Sequence, residues 1–580
     1  MKTLWIVTPV LVVLGSLVSA HTASAADVTI GWSDTKQTID GFGASSAWFG
    51  VNLSDDVTRS LFDPKTGIGL SLLRIQIGLP ADIQSDGTES TDAGMPVATA
   101  PELTTAQQAV RYGCQIWATA WTPPPAWKTT NSQNGSGPDF PSNKLQPSHY
   151  QDYADYLADF VDLMDQNHVQ LMGVSPANEP DYVATWDNAQ WDGNELTSFI
   201  ADNMGPTFAA RCPSVKIIVP DTATWAMCDS YVTPISQNAK ALGYAGIFAT
   251  HPYPNLVEEP DWSYNKPQQL GKPFWETEWS QENLNGDTPD PTMTSAIDMA
   301  RHIHTNMVTT QMNAWSWWAI YISADALING DKAVIRENPA LIQPDDSYGR
   351  PYMFQRGYAM GNWAKFVRPG FKRLGTTDPS SSLLVEAYRD GCHIAVIAIN
   401  SDSSDVNQKF VLNDAPELVS VTPWVTSPND KLAPKTAVPV SATDGSFTFT
   451  IPGKSVVTFV NWDASSYTPG DQDSDAGTGC PAPTGGTSGV DAGSHTGGGG
   501  GAGQGGAPGQ GGAAVQGGAA VVDSTTSSTA APNNDSGCGC RIGSARPSSK
   551  ALELTAFLVA IFALRRRRVL GCSRRLRNAS

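Results

Sequence analysis

Basic charge is scarce in this chain. Lys and Arg number 37 against 56 Asp and Glu in 580 residues, a formal net charge of −19. Ten of those 37 lie between Arg541 and Ser580, with one Glu, so the remainder is more acidic than the total suggests. An acidic body repels phosphate backbones, which argues against nucleic acid as a partner. An uncharged polymer such as a plant polysaccharide is compatible with it. Cysteine is sparse too, with eight residues and no paired Cys-x-x-Cys spacing of the kind that holds zinc. Cys212 and Cys228 could pair across a short loop after export, although connectivity is not readable from sequence. No Gly-x-Ser-x-Gly elbow occurs, and His251 has no signalled serine to serve, which disfavours an esterase-type triad. Gly41-Phe42-Gly43-Ala44 precedes no dinucleotide-type helix. The expectation is an absence of cofactor and metal. Spanning-length apolar runs are also missing, since Leu4–Val18 and Leu554–Leu564 fall short of the roughly 20 residues a membrane helix needs.

What is present at the ends speaks of export. Lys2, the apolar stretch Leu4–Val18 and the small residues Ala23-Ser24-Ala25 predict a signal peptide over residues 1–25. Residues 464–536 are rich in Gly, Ser, Thr, Pro, Ala and Asp, too poor in apolar side chains to order themselves, and read as a flexible tether. Residues 537–580 hold Gly537-Cys538-Gly539-Cys540, an apolar run and Arg565-Arg566-Arg567-Arg568. That order resembles the C-terminal sorting tails of myxobacterial surface proteins, which implies processing at the Gly-Cys motif and delivery to the cell surface. Membrane contact is then expected only through this tail before processing, and the body is expected to be a monomer.

Between the ends, a short β-prone apolar run, polar loop residues and a longer helical stretch recur. Strand candidates are Phe42–Phe49, Ser71–Gly78, Gln115–Trp121, Leu171–Pro176, Lys216–Pro220, Gly246–Thr250, Pro273–Thr277 and Asn313–Tyr321. Helical stretches include Tyr150–Asn167, Glu195–Arg211, Tyr231–Leu242 and Met293–Gln311. Eight strands alternating with helices predict an α/β fold of the (β/α)8 TIM-barrel type over residues 42–360. From about Gly361 to Asp463 the pattern changes to short strands parted by Gly, Pro, Asn and Ser turns, as in a fused side β-sandwich. Val28–Ile39 has β character with no helix after it, so residues 26–41 are expected to supply a strand to that same side domain.

Active sites of such barrels lie where the strands end at their C-terminal face. The fourth candidate strand ends in Ala177-Asn178-Glu179-Pro180 and the seventh in Glu276-Thr277-Glu278-Trp279. Strands four and seven lie across the barrel mouth from each other, so their carboxylates can meet. Glycoside hydrolysis needs such a pair, one protonated to donate to the leaving oxygen and one ionised to attack the anomeric carbon, about 5–5.5 Å apart in retaining enzymes. Asn178 suits a hydrogen bond to the sugar 2-OH that strengthens in the transition state. Glu276, two residues before Glu278 and on the same face by strand periodicity, is the rival nucleophile.

Phe42-Gly43-Ala44-Ser45, Leu73-Arg74-Ile75, Ala120-Trp121-Thr122-Pro123-Pro124, Asn178-Glu179-Pro180, Thr277-Glu278 and Arg356-Gly357-Tyr358-Ala359-Met360-Gly361 resemble glycoside hydrolase family 30 over nearly all of residues 35–462. Lys128-Thr129-Thr130-Asn131-Ser132 and Phe366-Val367-Arg368-Pro369-Gly370 bring the resemblance closest to bacterial glucuronoxylan-type xylanases. It implies a barrel with a side β-domain, Glu179 as acid/base and Glu278 rather than Glu276 as nucleophile. Two departures concern the glucuronate clamp. Trp279-Ser280-Gln281-Glu282 stands where those xylanases carry a Tyr-containing segment, and no arginine soon follows Trp317-Trp318. An insertion reaching Tyr348 follows instead; its Arg336 is a possible substitute, although an exposed loop arginine is the simpler account.

Arg74 is expected to orient the nucleophile by charge-assisted hydrogen bonds. Trp121, Tyr253 and Trp317, near strand ends, are expected to offer aromatic faces to sugar rings, a use that competes with packing in the core. The expected function is an endo-β-glycanase, with xylan first. A β-1,6-glucanase or β-1,6-galactanase is the alternative enzyme, and a polysaccharide-binding adhesin on a dead barrel is the non-enzymatic one. Burying two like charges gains a binding-only site nothing, which disfavours the adhesin.

Overall fold

The computed structural model describes residues 26–48, 52–79, 95–253, 264–280, 292–321, 340–343 and 352–463. The proposed signal peptide, Arg336, most of the insertion 324–347, the tether and the sorting tail lie outside the described residues. Eight parallel strands close into a barrel: Gly41–Ser45, Leu72–Ile77, Gln115–Ala120, Leu171–Ser175, Lys216–Thr222, Ala245–Thr250, Phe274–Trp279 and Ala314–Trp317. Each falls on one of the eight apolar runs, because a strand buried on both faces needs an unbroken apolar sequence. Leu72, Trp117, Ile218, Ile247, Ala249, Trp275 and Ala314 fill the barrel interior. Trp117 and Trp275 meet edge to face there, 6.2 Å apart.

Helices wrap the outside by burying one stripe each. In Tyr150–Gln166 the buried residues Tyr153, Tyr156, Leu157, Phe160, Val161 and Met164 recur at helical spacing. The stretch expected over Glu195–Arg211 starts at Gly193, where Asp192 and Glu195 form a reciprocal capping box. It passes through a π turn at Ile200–Met204 before ending at Arg211. The stretch expected over Tyr231–Leu242 is two helices, Trp225–Gln237 and Ala239–Tyr244; Asn238 ends the first and caps the second.

The side domain is present as one continuous ten-stranded sheet, mostly antiparallel. Val28–Thr38 belongs to it, paired antiparallel with Lys372–Thr376 and parallel with Val406–Asn413. The sheet curls until its far strands share a core. Phe447, on the strand at one end, packs 5.1 Å from Phe459, on a strand near the other end.

The helix Gln355–Ala364, buried along most of its length, joins the two parts. It runs past Gly361, where the sequence pattern suggested the switch to strands. A Cβ at Gly361 would stand 2.6 Å from Leu432 Cδ2 and 3.1 Å from Ile68 Cβ, so glycine lets the side domain and the barrel close on it. Asn362 donates to Thr458 Oγ1 at 2.9 Å and accepts from Thr426 at 2.7 Å. Gly361 of the Arg356–Gly361 motif and Phe366, whose ring lies 5.3 Å from Trp424 of the side sheet, therefore serve this seam.

Cys114, Cys212 and Cys228 are free and buried, so the pairing open to Cys212 and Cys228 is not made. Cys228 lies in the helix Trp225–Gln237 and turns its thiol toward Thr222 and Thr250 on the barrel, while Cys212 caps the helix Gly205–Arg211. Cys392 is disulfide-bonded.

Candidate active site

The C-terminal ends of the barrel strands bring together residues that are far apart in sequence. Glu179 follows strand four, its carboxyl nearly buried. It adopts φ 53° and its N–H donates to the Asp221 carbonyl at 2.9 Å. Asp221 itself sits at φ 62°. Left-handed backbone costs a non-glycine residue about 1–3 kcal/mol and persists only where its surroundings over-determine it. Here Asn188 Nδ2 also holds the Glu179 carbonyl at 3.2 Å.

Glu278 accepts a hydrogen bond from Arg74. The same guanidinium donates to Asn178 Oδ1 at 2.6 Å, Thr119 Oγ1 at 3.2 Å and Asp221 Oδ2 at 3.3 Å. It rests between the indoles of Trp121, 4.7 Å away, and Trp117, 5.2 Å away. An arginine packed and bonded on all sides is a rigid orienting group. Asn178 spends its oxygen on Arg74, and among the described residues its Nδ2 has no protein acceptor. That leaves a donor at the site.

Strand periodicity puts Glu276 and Glu278 on one face, and the structure overturns this. Glu276 aligns with Trp315 and Trp279 with Trp317, three residues against two, so the strand end is bulged. Thr277 turns inward to donate to Asp221 at 2.5 Å. Glu276 turns outward to His302, at 2.9 and 3.0 Å. The bulge is what separates the two glutamates.

His251 and Asp221 were missed as site residues. His251 Nδ1 lies 3.1 Å from Glu179 Oε1 and its Nε2 lies 3.2 Å from Asp221 Oδ1. Burial alone would lower the His251 pKa, but the negative charge of Glu278 and the bonds to Asp221 and Glu179 outweigh it and raise it to about 10. Burial also acts on Asp221, yet Arg74 and His251 hold its carboxyl down at about 2. Burial lifts Glu179; its bond to His251 opposes the rise and the charge of Glu278 adds to it, leaving the pKa at about 7. Below about pH 7 Glu179 is therefore protonated, while the Asp221 carboxylate stays ionised between Arg74 and the His251 cation. The sequence signal for both residues was their position, since Asp221 and His251 stand at or just past the ends of strands five and six.

Ligand atoms of Glu179, His251 and Glu278 all lie within 4.8 Å of one another. Such a trio suits a divalent cation, but both nitrogens of His251 are engaged by carboxylates and Arg74 already serves Glu278. The two glutamates are close enough to work on one bond from opposite sides, one as acid and one as nucleophile.

The predicted aromatics fare differently. Trp121 lies at the site, over Arg74. Tyr253 sets its ring edge-on to His251 and its hydroxyl 3.0 Å from Ser280 Oγ. Trp317 is a correction: it is fully buried, packed against Trp279, Trp315 and Arg356, with no face for a sugar.

Residues 97–366 match the glycosyl hydrolase family 30 TIM-barrel domain. A glucuronoxylanase of Bacillus subtilis strain 168 is 30% identical over 440 residues, covering 75% of this chain and 92% of that protein. The crystal structure of a family 30, subfamily 8 xylanase from Clostridium acetobutylicum is similar with a TM-score of 0.62 and 29% identity, over 75% of this chain and 99% of that one. An endo-β-1,6-galactanase of Hypocrea rufa is 21% identical over 411 residues, 63% of this chain and 79% of that protein.

Proposed function

This chain belongs to glycosyl hydrolase family 30, a glycoside hydrolase on a TIM barrel, and from that premise we propose that it is a retaining endo-1,4-β-xylanase that does not depend on glucuronate. The observation that carries the mechanism is the approach of a Glu179 and a Glu278 carboxylate oxygen to within 4.8 Å, close enough for the pair to act in a double displacement. Glu179, protonated up to about pH 7, donates its proton to the glycosidic oxygen as the bond breaks. Glu278, held by Arg74, attacks the anomeric carbon and forms the glycosyl-enzyme. Glu179, now ionised, takes a proton from water, which displaces the sugar with retention. Asn178 Nδ2 is the donor for the sugar 2-OH.

The similarity to a glucuronoxylanase and to a xylanase supports xylan as the polymer. Independence from glucuronate is supported by Trp279-Ser280-Gln281-Glu282, which carries no tyrosine behind the nucleophile, and by Ala319-Ile320-Tyr321, which brings no arginine after Trp317-Trp318. Export is supported by the charged start and apolar stretch of residues 1–25 and by the disulfide at Cys392, a bond of oxidising compartments.

The test is an assay of the purified protein on a polysaccharide panel, with products sized and their initial anomeric configuration read by NMR. The expected result is β-configured xylo-oligosaccharides at comparable saturating rates from linear xylan and glucuronoxylan, with no constant spacing between cut and branch. A strict requirement for glucuronoxylan with one fixed branch position overturns the glucuronate statement. No action on any xylan favours the β-1,6-glycanase reading, to which the galactanase similarity lends support.

A further inference from the structure

A cavity of about 800 Å³ lies along the seam formed by the first helix, Asp55–Phe62, the joining helix Gln355–Ala364 and the side sheet. It shares no residue with the carboxylate cluster, and its size is that of a small-molecule site. Three lysines line it, Lys65, Lys365 and Lys431, in a chain whose net charge is −19. Lys365 is buried, and its ammonium is fixed on the carbonyls of Pro64 at 2.6 Å, Lys65 at 2.9 Å and Gly67 at 3.3 Å. Burial lowers its pKa to about 8, against the opposing charge of Asp63, which leaves it a cation at neutral pH. The Lys431 ammonium stands over the rings of Tyr352, 5.0 Å away, and Tyr358, 5.7 Å away. Among the described residues neither Lys65 nor Lys431 is paired with a carboxylate. The acidic member of the lining, Asp56, is bonded to Arg59.

These cations are accompanied by the half-buried rings of Tyr358 and Trp424 and by the hydroxyls of Ser54, Ser60 and Thr66. With Lys365 spent on its three carbonyls, the ammonium groups of Lys65 and Lys431 remain for a ligand, and ammonium groups with aromatic rings and hydroxyls are what an acidic sugar requires, since a bare anion uses only the first. We propose that this seam cavity binds the uronate branch of an acidic polysaccharide, outside the catalytic cleft. The inference rests on the polysaccharide hydrolase reading and extends it. A second hold on the polymer raises the local concentration of cleavable chain without fixing where the chain is cut.

The test is calorimetric titration of E278Q protein with a glucuronate-bearing xylo-oligosaccharide and with the matching neutral oligosaccharide. Both are repeated after adding K65E and K431E, changes to exposed side chains that leave the fold in place, as circular dichroism checks. The expected result is a loss of about tenfold or more in affinity for the acidic oligosaccharide only, the scale of one charge-assisted hydrogen bond. Equal affinity in both backgrounds overturns the proposal, as does an equal loss for both ligands. Inorganic phosphate competing as well as free glucuronate also overturns it, because the site is then a general anion trap. Should xylan prove the wrong polymer, the neutral oligosaccharide binds neither protein, while the lysine-dependent binding of free glucuronate still decides the cavity.

Discussion

Replacing His251 by Phe isolates the group that tunes the proposed acid. The imidazole lies 3.1 Å from Glu179 Oε1 and, being a cation, favours the ionised carboxylate. Its removal therefore raises the Glu179 pKa above the value of about 7 set by burial, His251 and Glu278 together. A hydrogen bond to a charged group contributes about 1.5–3 kcal/mol, and at about 1.36 kcal/mol per pKa unit the shift is about 1–2 units. Both groups are buried, so solvent screening removes little of this. Asp221 keeps Arg74, Thr277 and Ser175 as partners, so the strand ends retain their anchors in H251F. The assay is kcat/KM against pH, which reports free-enzyme ionisations. The basic limb should move from near pH 7 to about pH 8–9, with a lower plateau if Glu179 is less well placed. A limb that stays put, or moves to lower pH in folded protein, refutes the assignment of Glu179 as the group whose protonation limits the rate.

E278Q should abolish turnover without unfolding the protein, with azide restoring a glycosyl azide of inverted configuration. E276Q, which alters a residue facing His302, should retain turnover. E179Q should slow substrates with poor leaving groups far more than activated aryl glycosides, and an equal fall in both would exclude the acid role. Asp221 bears on stability as well. Its pKa is depressed in the folded state to about 2, so its contribution is full above the unfolded value of about 3.9 and is lost as pH falls through about 2. That difference is about 2–3 kcal/mol, and D221N should show a flatter loss of thermal stability between about pH 4 and pH 2 than wild type.

Local pattern was enough to find the barrel. A parallel strand covered on both faces is an apolar run such as Leu171–Ser175, and a wrapping helix such as Tyr150–Gln166 shows its stripe, so both are visible in a few neighbouring residues. The rule that function gathers at C-terminal strand ends carried the sequence as far as Glu179 and the strand-seven pair Glu276 and Glu278, between which only the family resemblance chose. Local pattern could not decide how the strand-seven glutamates face. Periodicity assumes a regular pleat, and the bulge before Trp279 sends Glu276 outward and turns Thr277 and Glu278 inward. The joining helix was also hidden, since its mostly buried surface gives Gln355–Ala364 no amphipathic stripe. Trp317 looked like a sugar platform because nothing local says that Trp279, Trp315 and Arg356 cover it. Asp221 and His251 gain meaning only from partners remote in the chain: Asp221 and Arg74 are 147 residues apart, and His251 and Glu179 are 72. The chemistry of each group was written in the sequence. Its ionisation was set by tertiary structure, because burial and the charges of distant residues act only once the barrel has closed.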